Sequence, residues 1–81
     1  MRVDKFLKVS RLLKRRSVAS DACGEGLVEV NGKPSKAGNR LKVDDILKVT
    51  LGANSITVKV LELNEKASKV QASSLYEVIA E

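Results

Sequence analysis

The chain has no histidine, no tryptophan, one cysteine, one proline and only two aromatic residues, Phe6 and Tyr76, among its 81 positions. Without histidine, neither a serine nor a cysteine nucleophile has an imidazole base, and the commonest zinc ligand is missing. The lone Cys23 has no partner for an intramolecular disulfide, so the sequence fits a reducing compartment and reads this thiol as a small buried hydrophobe. Glycine-rich phosphate loops are absent, and Asp44, Asp45, Glu62 and Glu65 show no spacing that implies paired carboxylates. No stretch approaches the roughly 20 apolar residues of a membrane span, and no apolar run of signal-peptide length follows the N-terminus. A chain of this size buries only about 60% of the surface it exposes when unfolded, which leaves little room for both a core and a deep pocket. These absences predict a cytoplasmic, non-catalytic protein with no metal or cofactor, built as a single domain over residues 1–81.

What is present is positive charge, unevenly spread. Lys and Arg number 15 against 10 Asp and Glu, for a net charge of +5. Residues 1–40 carry +6 and residues 41–81 carry −1. In the first sixteen positions Arg2, Lys5, Lys8, Arg11, Lys14, Arg15 and Arg16 face a single acid, Asp4. Such a local field suits a polyanion.

Val3, Phe6 and Leu7 fall at the i, i+3, i+4 spacing of a helical stripe, which Val9, Leu12 and Leu13 repeat in a shifted phase. The pattern predicts a helix from Val3 to Leu12. Ser17 stands where an N-cap belongs, ahead of Val18, Ala19, Ala22 and Cys23, and Gly24 and Gly26 close this second short helix. Asn31-Gly32 then follows Leu27 to Val30, and this dipeptide favours a type I′ hairpin, whose two central residues both need positive φ. Pro34 confines the next segment to an edge strand. Alternation over Ile46 to Leu51, a Gly52-Ala53-Asn54 turn and alternation over Ile56 to Leu63 predict a second hairpin. The tail from Lys69 to Glu81 fits a closing strand and a short helix equally. The order is that of an α+β fold, two N-terminal helices packed on a small antiparallel sheet.

The ordered set Arg2-Val3-Asp4-Lys5-Phe6-Leu7, Arg11, Arg16-Ser17-Val18-Ala19, Gly26-Leu27-Val28-Glu29-Val30-Asn31-Gly32, Ser35-Lys36 and Asp45-Ile46 resembles the S-four RNA-binding domain. The resemblance covers residues 1–51, with an αL-type motif, and leaves a C-terminal hairpin and tail in residues 52–81. In that family a glycine usually precedes the acid at Asp45, where this chain has Asp44. Asp is among the few residues that tolerate the left-handed region, so the turn is expected to survive. The opening sixteen residues and the C-terminal Leu75-Tyr76-Glu77 resemble the family of short bacterial ribosome-associated quality-control factors related to the fifteen-kilodalton heat-shock protein. That resemblance implies partners: rRNA of large ribosomal subunits blocked by peptidyl-tRNA, tRNA itself, and other quality-control factors that add alanine tails to the nascent chain. The chain itself is expected to be a monomer and, lacking a long apolar run, to engage no membrane.

On the residues themselves, a solvated helix face is the ordinary reading of surface charge, but seven cations against one anion favour RNA contact. Arg2, Arg11 and Arg16 rank above the lysines Lys5, Lys8 and Lys14, because a guanidinium fork pairs bidentately with phosphate, and Arg15 sits beside Arg16 in the turn after the helix. Asp4 reads as a first-turn acid favoured by the helix dipole, and also as a group able to orient a neighbouring arginine. Lys33, Lys36, Arg40 and Lys42 form a looser second group, of which Lys36 and Arg40 are the stronger candidates. With so few aromatics, recognition of folded RNA by shape and backbone fits better than stacking of unpaired bases. Two other readings stay open: an RNA-recognition subunit that recruits an RNA-modifying enzyme, and a general polyanion or membrane-surface binder.

Overall fold

The computed structural model describes all 81 residues. Helix α1 spans Val3–Val9 and helix α2 spans Arg16–Gly24. They cover one face of a five-stranded antiparallel sheet made of β1 (Val28–Val30), β2 (Lys33–Pro34), β3 (Ile46–Leu51), β4 (Asn54–Val60) and β5 (Tyr76–Ala80), in the order β2-β1-β3-β4-β5. The α+β architecture expected from the sequence is the one observed.

The period-2 pattern puts Val28, Leu47, Val49, Val58 and Val60 on the covered face, all at 1% exposure or less. Val3, Phe6 and Leu7 of α1 and Ala19, Ala22 and Cys23 of α2 pack against them in one core. The small side chains of α2 let the helices approach closely. Burial pushes the Cys23 thiol up, and the nearby Asp4 charge adds to that, so Cys23 is an inert core residue.

Three boundaries differ from the sequence expectation. Helix α1 stops at Val9 instead of Leu12, because Arg11 takes a left-handed φ of 63°. The Arg11 N–H donates to the Lys8 carbonyl and the Leu13 N–H to the Leu7 carbonyl, which satisfies the last turn and swings Leu13 into the core. The phase shift in the apolar pattern thus marks the end of the helix. Helix α2 begins at Arg16 with Arg15 as its N-cap, so Ser17 lies inside the first turn and caps nothing. Strand β4 covers Asn54–Val60 instead of Ile56 to Leu63, since beyond Val60 the N–H groups of Leu61 and Glu62 both donate to the Leu75 carbonyl and the ladder ends.

The hairpin between β1 and β2 turns through Asn31 (φ 53°) and Gly32 (φ 84°), as the dipeptide demands. Asn31 also ties this hairpin to the start of β3, accepting the Ile46 N–H and donating from Nδ2 to Asp45. Asp44 takes the left-handed conformation (φ 77°), and its carboxylate lies 3.5 Å from Lys59 Nζ. The tail resolves into a single 3₁₀ turn, Ala72–Leu75, that buries Leu75, followed by β5 at the sheet edge. No helix is long and apolar enough to cross a membrane.

Candidate nucleic-acid interface

Helix α1 begins against a loop that comes from thirty residues further along the chain. The N–H groups of Val3 and Asp4 have no intrahelical acceptor, and they donate to the carbonyls of Asn39 (2.8 Å) and Ala37 (3.2 Å). A β-bridge between Arg2 and Arg40, with the Leu41 N–H donated to the Met1 carbonyl, completes the seam. Bridged residues share a face, so Arg40 joins Arg2 on one surface. The Arg2 guanidinium lies over Gly38, where a Cβ would come within 3.7 Å of Nη2.

Asp4 sits behind this surface, and it is the only acid that is nearly fully buried, 3% exposed. Its Oδ1 accepts from Arg2 Nε at 3.2 Å and from the Lys5 N–H at 2.8 Å. Its Oδ2 accepts from Arg16 Nε at 3.2 Å and from Arg2 Nη2 at 3.3 Å. One carboxylate therefore holds the inner edges of two guanidinium groups, from the start of α1 and the start of α2. The outer edges, with Arg2 Nη1 and both terminal nitrogens of Arg16, carry no hydrogen bond within the chain. Those nitrogens can donate to an anion such as a phosphate, and the fixed inner edge lowers the entropy that such a contact would cost.

Burial by itself pushes the Asp4 carboxyl up, but the hydrogen bond and charge of Arg16, the Lys5 N–H and the charge of Arg2 outweigh it and hold the group below its ordinary value. A depressed carboxylate contributes stability above its unfolded pKa, and that contribution is lost as pH falls through the folded pKa. The melting temperature of the wild-type chain is therefore expected to exceed that of Asp4→Asn at neutral pH. The gap should narrow as pH falls below the ordinary carboxylate range, and a gap constant down to the most acidic pH would mean that Asp4 is not the charged strut.

The remaining sequence candidates separate into groups. Lys5, Lys8 and Arg16, with Val9 and Glu65, line a cleft of about 290 Å³ beside the Asp4 strut. Lys5 is half-buried there and Lys8 is exposed. Arg40 lines a second cleft of about 270 Å³ with Val30, Lys33, Pro34, Ser35 and Asn39, so Lys33 belongs with Arg40 more closely than Lys36 does. Arg11, Lys14 and Arg15 are exposed on the connection between the helices and line neither cleft, and Lys36 stands exposed on the loop that meets α1. Arg11, which the helix expected from Val3 to Leu12 would contain, instead occupies the left-handed position after α1. The largest cleft, about 490 Å³, lies at the β3–β4 turn between Val49, Leu51, Ile56 and Glu81 and contains no cation. Sequence reasoning missed Asn39, the chain neighbour of Arg40 in its cleft, and Glu65, which reaches the cleft of α1 only through folding of a distant segment.

The S4 domain profile matches residues 1–47 of this chain. A protein of Halalkalibacterium halodurans named RQC P-site tRNA stabilizing factor is 47% identical over 96% of this chain and 89% of its own. Its namesake in Streptococcus pneumoniae is 43% identical over all of this chain and 92% of its own. The trimeric heat shock protein 15 of Vibrio cholerae superposes with a TM-score of 0.90 at 25% identity, covering 99% of this chain and 82% of that one. The matched segment contains both helices, the Asn31-Gly32 hairpin and the Asp4 strut with its two arginines. The chain belongs to the S4 domain family of RNA-binding proteins and, within it, to the family of short RQC P-site tRNA stabilizing factors.

Proposed function

We propose that this protein is a non-catalytic RNA-binding factor of ribosome-associated quality control. It docks on the rRNA of large ribosomal subunits that carry peptidyl-tRNA, engages that tRNA, and supports alanine tailing of the trapped chain. The observation that supports this most directly is the pair of guanidinium groups, Arg2 and Arg16, held by one buried Asp4 with their outer nitrogens free. Around them stand Lys5, Lys8, Lys36 and Arg40 as further phosphate contacts, with Arg11, Lys14 and Arg15 on the adjoining turn. Two separate clefts, one holding Arg16 and the other Arg40, allow two RNA segments to be held at once, which is what bridging rRNA and tRNA requires. The related proteins carry the name of a factor that stabilises P-site tRNA, which supports the ribosomal reading over a free-RNA one. The protein acts in the cytoplasm, as a monomeric domain of 81 residues, alongside other quality-control factors.

Sedimentation with stalled large subunits at rising salt tests this reading. The protein is expected to pellet with subunits that retain tRNA. With about five phosphates neutralised, log affinity should fall against log salt with a slope of about −3.5 to −4.5. Recovery instead in a stoichiometric complex with an enzyme on free RNA would favour a recruiting subunit. Equal binding to heparin and to folded RNA would favour a general polyanion binder.

A further inference from the structure

The cleft beside the Asp4 strut has a feature that phosphate binding does not account for. Three of its lining residues, Lys5, Lys8 and Arg16, are cations from α1 and the start of α2, and Val9 supplies an apolar patch. The fifth is Glu65, from the segment between β4 and the 3₁₀ turn, about fifty residues further along the chain. Glu65 is exposed and makes no ion pair within 4 Å with any of the three cations. Its segment is held in place by Leu63 and Ala67, which pack on the core on either side of it, and by the Ala67 N–H donated to the Asn64 carbonyl.

A carboxylate accepts hydrogen bonds and donates none. A polyanion of bare phosphates would gain from the cationic side of this cleft and be repelled by Glu65. A ligand that satisfies both sides needs a phosphate and, close to it, a hydrogen-bond donor. The cleft has room for about one nucleotide. In a ribonucleotide the donor nearest the phosphate is the 2′-hydroxyl, whereas the exocyclic amines lie at the far end of the base. The 2′-hydroxyl is also the group by which a protein distinguishes RNA from DNA.

We infer that the cleft takes one ribonucleotide of the bound RNA, its phosphate on Lys5, Lys8 and Arg16 and its 2′-hydroxyl donating to Glu65, so that Glu65 is a specificity-determining residue for RNA. This rests on the RNA-binding reading and adds the residue that selects the sugar. The acid also explains why a strongly basic surface need not hold every polyanion equally well.

The test uses the large-subunit rRNA stem-loop that the wild-type chain binds tightest, and a set of the same stem-loop with single 2′-deoxy substitutions walked along the strand. Single substitutions leave the A-form shape and the phosphates in place. Wild type should lose about tenfold in affinity at one nucleotide, the size expected for one hydrogen bond to a charged group. Glu65→Ala should be indifferent to that substitution while responding like wild type at every other position. Glu65→Gln keeps an acceptor and should still sense it. A uniform change in affinity across the whole set for Glu65→Ala, with the wild-type pattern of sensitivity intact, would show that the acid is only a repulsive surface charge and would overturn the inference. Sensitivity of wild type to removal of an exocyclic amine, lost in Glu65→Ala, would overturn the assignment to the sugar in favour of the base. Failure of the wild-type chain to bind any rRNA stem-loop would instead sink the RNA-binding reading on which the inference stands.

Discussion

Arg16→Glu is expected to abolish co-sedimentation with large ribosomal subunits and to lower the melting temperature by roughly 5–10 °C. The binding effect follows from position. Arg16 presents free terminal nitrogens beside Lys5 and Lys8, and reversing its charge replaces the proposed phosphate contact with a repulsive group. The stability effect follows from what Arg16 does behind the surface. It donates to the carboxylate of Asp4, whose side chain is only 5% exposed, and a glutamate at this position would set two carboxylates against each other. Breaking a fully buried pair costs about 3–5 kcal/mol, but the Arg16 side chain is 47% exposed and Arg2 still pairs with Asp4, so solvent screening reduces this to about 1–2 kcal/mol. Lys8→Glu is the control: it reverses a charge of the same cleft without touching Asp4, and should weaken binding while leaving the melt unchanged. Subunit binding by Arg16→Glu at the wild-type level would remove the N-terminal surface from the mechanism.

Phe6→Ala should cost about 3–5 kcal/mol, the upper range for truncation of a single core side chain. Phe6 is completely buried between α1 and the sheet, in the same cluster as Val3, Leu7, Leu47 and Val58. A domain of this length has a total stability of roughly 4–12 kcal/mol, so the substitution consumes a large part of it. The urea midpoint is expected to fall steeply, and RNA binding should fail because the cations of α1 are no longer held against the 36–41 loop. Phe6→Leu keeps an apolar side chain in a tolerated size range and should cost about 1.5 kcal/mol or less, with binding retained. If Phe6→Ala kept its urea midpoint, the seam of Val3, Phe6 and Leu7 would not be what anchors the helix.

The two substitutions draw on parts of the protein that differ in how far the sequence reveals them. The seam is written in local spacing, and helix α1 and its buried face follow from it. The type I′ turn at Asn31-Gly32 is equally local, since positive φ at both positions is a property of those two residues. Even the departure at Asp44 was legible, because the tolerance of aspartate for the left-handed region does not depend on its surroundings. Arg11 was not. A left-handed arginine is locally unfavourable, and it occurs because the turn it makes buries Leu13 and satisfies the end of α1, gains that belong to the packed state. The same holds for the tail, where an ambiguous apolar pattern became strand β5 because β4 offered an unpaired edge.

By itself, then, the sequence determined the charge asymmetry that calls for a polyanion, the apolar seam of α1, the Asn31-Gly32 turn and the α+β order, all consequences of residue type and short-range spacing. Only the tertiary structure decided which cations act together. Asp4 reaches Arg16 across twelve positions, Arg40 comes to Arg2 from the middle of the loop between β2 and β3, and Glu65 enters the cleft from beyond β4. No periodicity records these meetings. They arise when burial of the core brings distant segments together, and the charged groups at the rim are carried to wherever that packing leaves them.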